Sequence, residues 1–234
     1  MNILGIGSHP DDLEIFCGGT LAKYSQRGDK VFMAIATDGR IGSETLPPKK
    51  IVSVRKKEAQ ESAKVIGAEL IWHGFEDQAF FDSSETRLAI IDTIRKVNPD
   101  VIFTHYFPDY FSADHNNVGF TVNAASMMAT PPNIKTKNKN ISHNPPVYFF
   151  ETAAGLGFNP DEYVDITNTL KTKQEMISKH KSQNEWLEYH CGENLFDMSS
   201  IISRFRGLQV GVEHAEGFIR CKAWARPIIG NLLP

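Results

Sequence analysis

Cysteine is scarce in this chain: only Cys17, Cys191 and Cys221 occur, an odd number with no C-x-x-C pair. That argues against a disulfide framework and against a thiolate metal site. Cys17 reads as a small buried residue rather than a reactive thiol. Long apolar runs are lacking as well, since no stretch approaches the roughly eighteen residues of a membrane span. Nor does one sign of charge dominate: 25 Lys and Arg stand against 28 Asp and Glu, a net charge of −3, which gives no electrostatic footprint for nucleic acid. No basic leader precedes the first apolar run, and that run is shorter than a secretory h-region, so the expected compartment is cytoplasmic. Internal repeats and low-complexity boundaries are also missing. With 234 residues, 41% hydrophobic and 23% charged, the expectation is one α/β domain spanning 1–234.

What is present is concentrated first at the amino-terminal end. Ile3-Leu4-Gly5-Ile6-Gly7 is too short for a helix and is cut off by Ser8 and Pro10, so it reads as a buried parallel strand. His9, Pro10, Asp11 and Asp12 follow at its carboxyl end, the edge where open α/β sheets place ligands. If the chain coils after Pro10, His9 and Asp12 converge on one point. Two adjacent carboxylates repel unless a cation or proton compensates them, which favours a divalent ion. The plainer reading is a helix start with Asp11 or Asp12 as N-cap. These residues alone weigh the two evenly. Gly5-Ile6-Gly7-Ser8-His9-Pro10 also begins like a dinucleotide-binding G-x-G-x-x-G, but Pro10 occupies the third glycine position and the match fails. Gly18 and Gly19 come too late to repair it, and are expected to let the first helix approach the sheet closely.

The rest of the chain alternates. Apolar spacing predicts a helix from Leu13 to Arg27, stopped by Gly28, and a fully apolar strand from Lys30 to Thr37. A polar loop, Thr37 to Ser43, leaves that strand at the same edge as His9. Further helices are expected over Val52–Ile66, Leu88–Val97 and Asn117–Ala129, with strands over Glu69–Gly74 and Asp100–Thr104. Such alternation implies right-handed crossovers and a doubly wound, mostly parallel, Rossmann-like sheet with helices on both faces. The fourth strand runs into His105, Asp109, Asp114 and His115, a second group of imidazoles and carboxylates beyond a strand end. Pro131 to Pro146 reads as a loop. Val147–Glu151 and Tyr163–Ile166 are strand candidates, Thr169–Lys181 is an amphipathic helix, and Glu193–Arg206 a further helix candidate. Glu213 to Phe218 reads as a polar, glycine-flanked turn.

Taken together, Ser8-His9-Pro10-Asp11-Asp12, Cys17-Gly18-Gly19-Thr20, Thr37-Asp38-Gly39, Arg55, Glu76-Asp77 and Asp114-His115 resemble the LmbE-like (PIG-L) family of zinc-dependent N-deacetylases acting on N-acetylglucosaminyl compounds. Weaker similarity continues at His180-Lys181-Ser182-Gln183 and Ala215-Glu216-Gly217-Phe218. The resemblance implies that His9, Asp12 and His115 hold one Zn²⁺ and that Asp11 is the general base. Two histidines and one carboxylate leave a coordination position open, as a hydrolytic metal requires. It also implies that Arg55 and Asp77 hold sugar hydroxyls, which suits a guanidinium fork and a carboxylate. The expected partner is then a small N-acetylated sugar conjugate. Nucleic acid and a membrane span are not expected, and a homo-oligomer is compatible with the sequence.

One position departs from the family pattern. Three residues before the metal-binding His115 the family has a histidine that polarises the carbonyl or protonates the amine, and here the residue is Ser112. A hydroxyl donates a hydrogen bond but carries no positive charge near neutral pH. Either another residue supplies that charge, or activity is reduced. His214, next to Glu216, and His105 are the candidates, with His214 expected as the catalytic substitute and Ser112 as a substrate contact. The rival reading is a sugar- or nucleotide-binding protein that has kept the scaffold with weakened turnover. An amidase for another N-acyl substrate is the rival among enzymes.

Overall fold

A computed structural model describes residues 1–223 and 232–234. Among them, seven strands form one sheet in the order β3-β2-β1-β4-β5-β7-β6: β1 (Asn2–Gly7), β2 (Lys30–Thr37), β3 (Glu69–Phe75), β4 (Val101–His105), β5 (Val147–Phe150), β6 (Glu162–Asp165) and β7 (Ala215–Arg220). The first five in chain order are mutually parallel, while β7 runs antiparallel to both β5 and β6. The expected doubly wound α/β class is therefore observed. No helix among the described residues is long and apolar enough to cross a membrane.

Two cores follow from the two-residue period of the strands. Ile3, Val31, Met33, Phe103, Tyr148 and Phe150 face one way. They are covered by α1 (Asp12–Gln26), α2 (Pro48–Val65), α5 (Leu170–Ile177), α6 (Lys181–Cys191) and α7 (Leu195–Val210), which contribute Leu21, Ala63, Met176, Leu187 and Leu195 respectively. Leu4, Ile6, Ala34, Ile102, Val147 and Phe149 face the other way, under α3 (Ser84–Val97) and α4 (Ala113–Met128). Both faces of the central strands are buried, which is why β1, β2 and β4 read as nearly continuous apolar runs.

Three differences from the sequence reading bear on function. First, α4 begins at Ala113, not Asn117, because the Ser112 hydroxyl accepts the His115 backbone N–H at 3.4 Å as an N-cap. His115 therefore sits in the first turn of a helix. Second, the amphipathic segment after Thr169 is two helices, broken around Ser178 to His180, and α6 lies where no clear element was expected. Third, Ala215 to Phe218 is not a turn but the start of β7, a strand buried along Ala215–Phe218. Its Glu216 carboxylate is covered because it accepts the Gly19 and Thr20 backbone N–H groups and the Lys173 ammonium.

Gly19, where a Cβ would lie 2.8 Å from Ile166 atoms, lets α1 pack closely on Ile166, the residue after β6, so the close approach expected of the glycine pair is to this segment rather than to a strand; at Gly18 the contact is ordinary. The tighter constraint is Gly119 of α4, where a Cβ would run into the carbonyl oxygen of His105. An exposed helical Gly→Ala change would stabilise by about 1 kcal/mol. Here backbone stands in the way, and Gly119→Ala is expected to destabilise by about 1–3 kcal/mol in urea unfolding. An unchanged or raised midpoint would contradict this packing.

Candidate functional site

The sheet reverses its winding between β1 and β4, the topological switch point where open α/β folds leave a crevice at the strands' carboxyl ends. The segment from Ser8 to Asp12 turns there. Thr37 N–H and hydroxyl both bind the Ser8 carbonyl, at 2.8 and 2.9 Å, and the His9 N–H donates to Asp12 Oδ2 at 2.6 Å. Asp11 occupies the N-cap position of α1 without a side-chain capping bond, at φ 127°, a region non-glycine residues rarely enter. That strain is held by surrounding contacts and turns the Asp11 carboxylate away from the helix end. The helix-start reading is thus partly right: α1 starts here, yet the Asp11 side chain does not cap it.

Three side chains converge in front of α1. His9 Nδ1 lies 3.3 Å from His115 Nε2 and 3.5 Å from Asp12 Oδ2, and His115 Nε2 lies 3.4 Å from Asp12 Oδ1. Ligand atoms about 2.0–2.1 Å from a tetrahedral ion are about 3.3 Å apart, so this triangle has the right size for zinc. The outer nitrogens decide the matter. His115 Nδ1 lies 2.9 Å from Asp109 Oδ2, while His9 Nε2 lies 3.3 Å from Asp77 Oδ1 and 3.4 Å from Asp114 Oδ2. His9 Nε2, Asp77 and Asp114 form a second group close enough to hold a cation. Carboxylates on the outer nitrogens favour ring protons there, and with neutral rings of that tautomer the two inner nitrogens would face each other as lone pairs. Only a cation or a shared proton makes that arrangement favourable, and the residues fit a divalent metal.

The carboxylates around the triad favour positive charge on its histidines, so a metal that binds there displaces protons. Burial opposes charge on His9, yet the carboxylates of Asp114, Asp12 and Asp77 outweigh it and hold its pKa well above the ordinary value. His115 is likewise disfavoured by burial but carried up to about 9, by Asp12 and Asp109. Burial would raise Asp12, but His115 and His105 draw it well below the carboxylate range. Asp11 goes the other way. Burial lifts it to about 6, with Arg55 opposing and the Asp12 charge adding.

Arg55 is not the surface arginine that its charged helix suggests. It is buried, and its guanidinium donates to the Pro10 carbonyl at 2.7 Å and the Gly39 carbonyl at 3.2 Å, with Asp11 Oδ1 at 3.5 Å. It therefore ties the strained turn to the loop after β2. Asp77 is also engaged, accepting the Ile41 N–H besides contacting His9. Both line a cavity of about 250 Å³ that opens over the triad, together with Asp11 and Ser112. Each also keeps one buried atom without a hydrogen bond, Arg55 Nε and Asp77 Oδ1.

A family model described as GlcNAc-PI de-N-acetylase (PIG-L) matches residues 4–126. The chain belongs to this PIG-L family. Diacetylchitobiose deacetylase of Thermococcus kodakarensis is 28% identical over 191 residues, 77% of this chain and 69% of the relative. The 4-oxalmesaconate hydratase of Pseudomonas putida is 24% identical over 196 residues, 80% of this chain and 76% of the relative. Among solved structures, the N,N'-diacetylchitobiose deacetylase of Pyrococcus horikoshii superposes with a TM-score of 0.83 at 28% identity, covering 94% of this chain and 83% of that one.

The PIG-L match spans every residue of the cluster just described, but not His214, and there the expectation fails. His214 lies in a separate surface hollow with Ile201, Arg204, Phe205 and Leu208, its Nδ1 3.0 Å from Ser203 Oγ. Burial lowers its pKa, and Glu216, expected to keep it charged, is bound to Lys173 instead. His105 is no substitute. It is fully buried behind Asp12, its Nε2 accepts the Ser8 N–H at 3.0 Å, and burial pushes its pKa down to about 4. It instead stacks on His115 with ring centroids 4.1 Å apart.

Sequence reasoning also passed over residues that matter. Asp109 and Asp114 were seen only as carboxylates near a histidine, although Asp114 also accepts the Gln78 and Phe80 N–H groups and so ties the loop after β3 to α4. Glu14 and His180 form a buried pair at 2.9 Å beneath the turn. Carboxylates that orient ligand histidines typically contribute about 10–100-fold in metal affinity. Asp109→Asn is expected to weaken zinc binding by that factor in chelator competition. Unaltered affinity would mean that Asp109 does not set the His115 tautomer.

Proposed function

We propose that this PIG-L protein is a zinc-dependent N-deacetylase that hydrolyses the acetamide of an N-acetylglucosamine-type conjugate to acetate and a free amine. The observation that carries this reading is Asp11, a buried carboxylate beside the triad that lines the cavity and is not one of its three ligands. His9, His115 and Asp12 would hold zinc, which would supply Lewis acidity at the amide carbonyl and ease removal of a proton from water. Asp11 takes that proton as water attacks the carbonyl carbon. The same carboxyl then returns it to the nitrogen as the C–N bond breaks, because neither His214 nor His105 is available as a cationic donor. Burial lifts the Asp11 carboxyl to about 6 without a metal, and the charge of a bound cation would favour the carboxylate that accepts a proton. Arg55 positions Asp11, and Asp77 positions His9. Ser112, whose oxygen accepts only a long bond from the His115 N–H, offers its O–H to the substrate.

The hydratase relative raises a second chemistry for the same metal and base. An organic-acid substrate, however, needs cationic partners for its carboxylates. Apart from the triad histidines, the described cavity lining offers only one cationic side chain, Arg55, whose two terminal nitrogens are bound to the Pro10 and Gly39 carbonyls and which keeps only its buried Nε unpaired. Amide hydrolysis is therefore the reading adopted. Removing a general base typically costs roughly a hundred- to ten-thousandfold in rate. Asp11→Asn should lose that much kcat for acetate release from N-acetylated sugars while its zinc content matches the parent. Parent-like turnover in the variant, or no acetate release by the zinc-loaded parent, would overturn the proposal.

A further inference from the structure

The cavity is polar on one side only. Its metal side carries the triad, Asp11 and Ser112, with Arg55 and Asp77 partly engaged by backbone and by His9, and Gln183 of α6 adds an amide oxygen without a hydrogen bond beside Gly42. Away from these groups the wall is apolar: Ile15 and Phe16 from α1, Trp186 and Leu187 from α6, Leu195 and Met198 from α7. It runs without a break into the reacting centre, since the Phe16 ring lies edge-on to His115 with centroids 6.2 Å apart. It also extends outward, where Phe111 and Ile41 line the mouth while 74% and 51% exposed. A pyranose laid on such a wall would lose water from its hydroxyls without gaining partners, which is costly. An alkyl or aryl group would gain there, at about 0.8 kcal/mol per buried methylene, roughly a fourfold change in affinity.

We propose that this α1–α6–α7 wall is a subsite for an apolar group, alkyl or aryl, attached to the N-acylated amine, so that the protein prefers amphipathic conjugates to free N-acetylglucosamine. The inference rests on the deacetylase reading for the identity of the amide, but the wall itself can be probed by binding alone. The apolar group can sit on either side of the amide, as the aglycone or as a longer acyl chain.

Both sides are tested by calorimetric titration of the zinc-loaded protein, with amine release followed in parallel. One arm compares methyl, hexyl and phenyl β-glycosides of N-acetylglucosamine; the other compares N-acetyl- with N-hexanoylglucosamine. At least one arm is expected to tighten Kd by about tenfold or more across its series, and the arm that gains names the side of the amide. Trp186→Ala and the size-conserving Met198→Gln should each cut that gain at least threefold, by about the worth of a methylene. Leu208→Ala, on the outer face of α7, should keep it. Apolar-dependent binding without amine release would support the subsite and overturn deacetylation. Amine release with Kd nearly constant along both series, or a gain that survives both wall variants, would overturn the subsite and leave deacetylation standing.

Discussion

Two imidazole nitrogens aimed at each other are the constraint on which the proposed active site depends. Left alone, His9 Nδ1 and His115 Nε2 at 3.3 Å would repel or share a proton. The fold nevertheless enforces the approach, because each ring is held from behind by carboxylates: Asp109 for His115, Asp77 and Asp114 for His9. These carboxylates are held in turn by backbone N–H groups of Phe111, Ile41, Gln78 and Phe80. The arrangement is costly without a cation and favourable with one, which is what the proposed metal centre would supply.

The sheet supplies the geometry. β1 and β4 are paired in parallel register, so their carboxyl ends lie side by side even though His9 and His115 are far apart in sequence. The chain order reverses between them, leaving a gap that no crossover helix fills. Gly119 lets α4 close on the end of β4, and the Ser112 cap starts that helix where His115 points back at His9. Arg55 completes the frame by bracing the strained Asp11 turn against the loop after β2. Strain at Asp11 is thus part of the site's construction: the same backbone that departs from ordinary φ presents the carboxylate to the cavity.

Much of this was legible locally. Ser8 and Pro10 cutting a short apolar run, followed by His-Pro-Asp-Asp, needs only strand periodicity and ligand spacing to read. The family resemblance then brought in His115. Other features depend on non-local packing, which sequence periodicity does not report. Glu213 to Phe218 looks like a turn because it is polar and contains glycine, yet β7 is buried because Glu216 finds Lys173 and two N–H groups of α1. His214 was misplaced for that reason. The resemblance singled out Arg55 as a contact for sugar hydroxyls, and only the fold shows its guanidinium buried and bound to the Pro10 and Gly39 carbonyls. Asp109 and Asp114 act through the outer nitrogens of histidines, an assignment that depends on ring orientation and not on spacing. The apolar wall has no motif at all, since it assembles from three helices.

The account stands or falls on the triad being a metal centre. The most direct measurement is a zinc titration of chelator-stripped protein, read by calorimetry and by metal content after gel filtration. One tightly bound ion per chain is predicted for the parent, and loss of tight binding for both His9→Ala and His115→Ala, each variant still folded. A parent that retains no zinc, or either alanine variant binding it as tightly as the parent, would contradict the account.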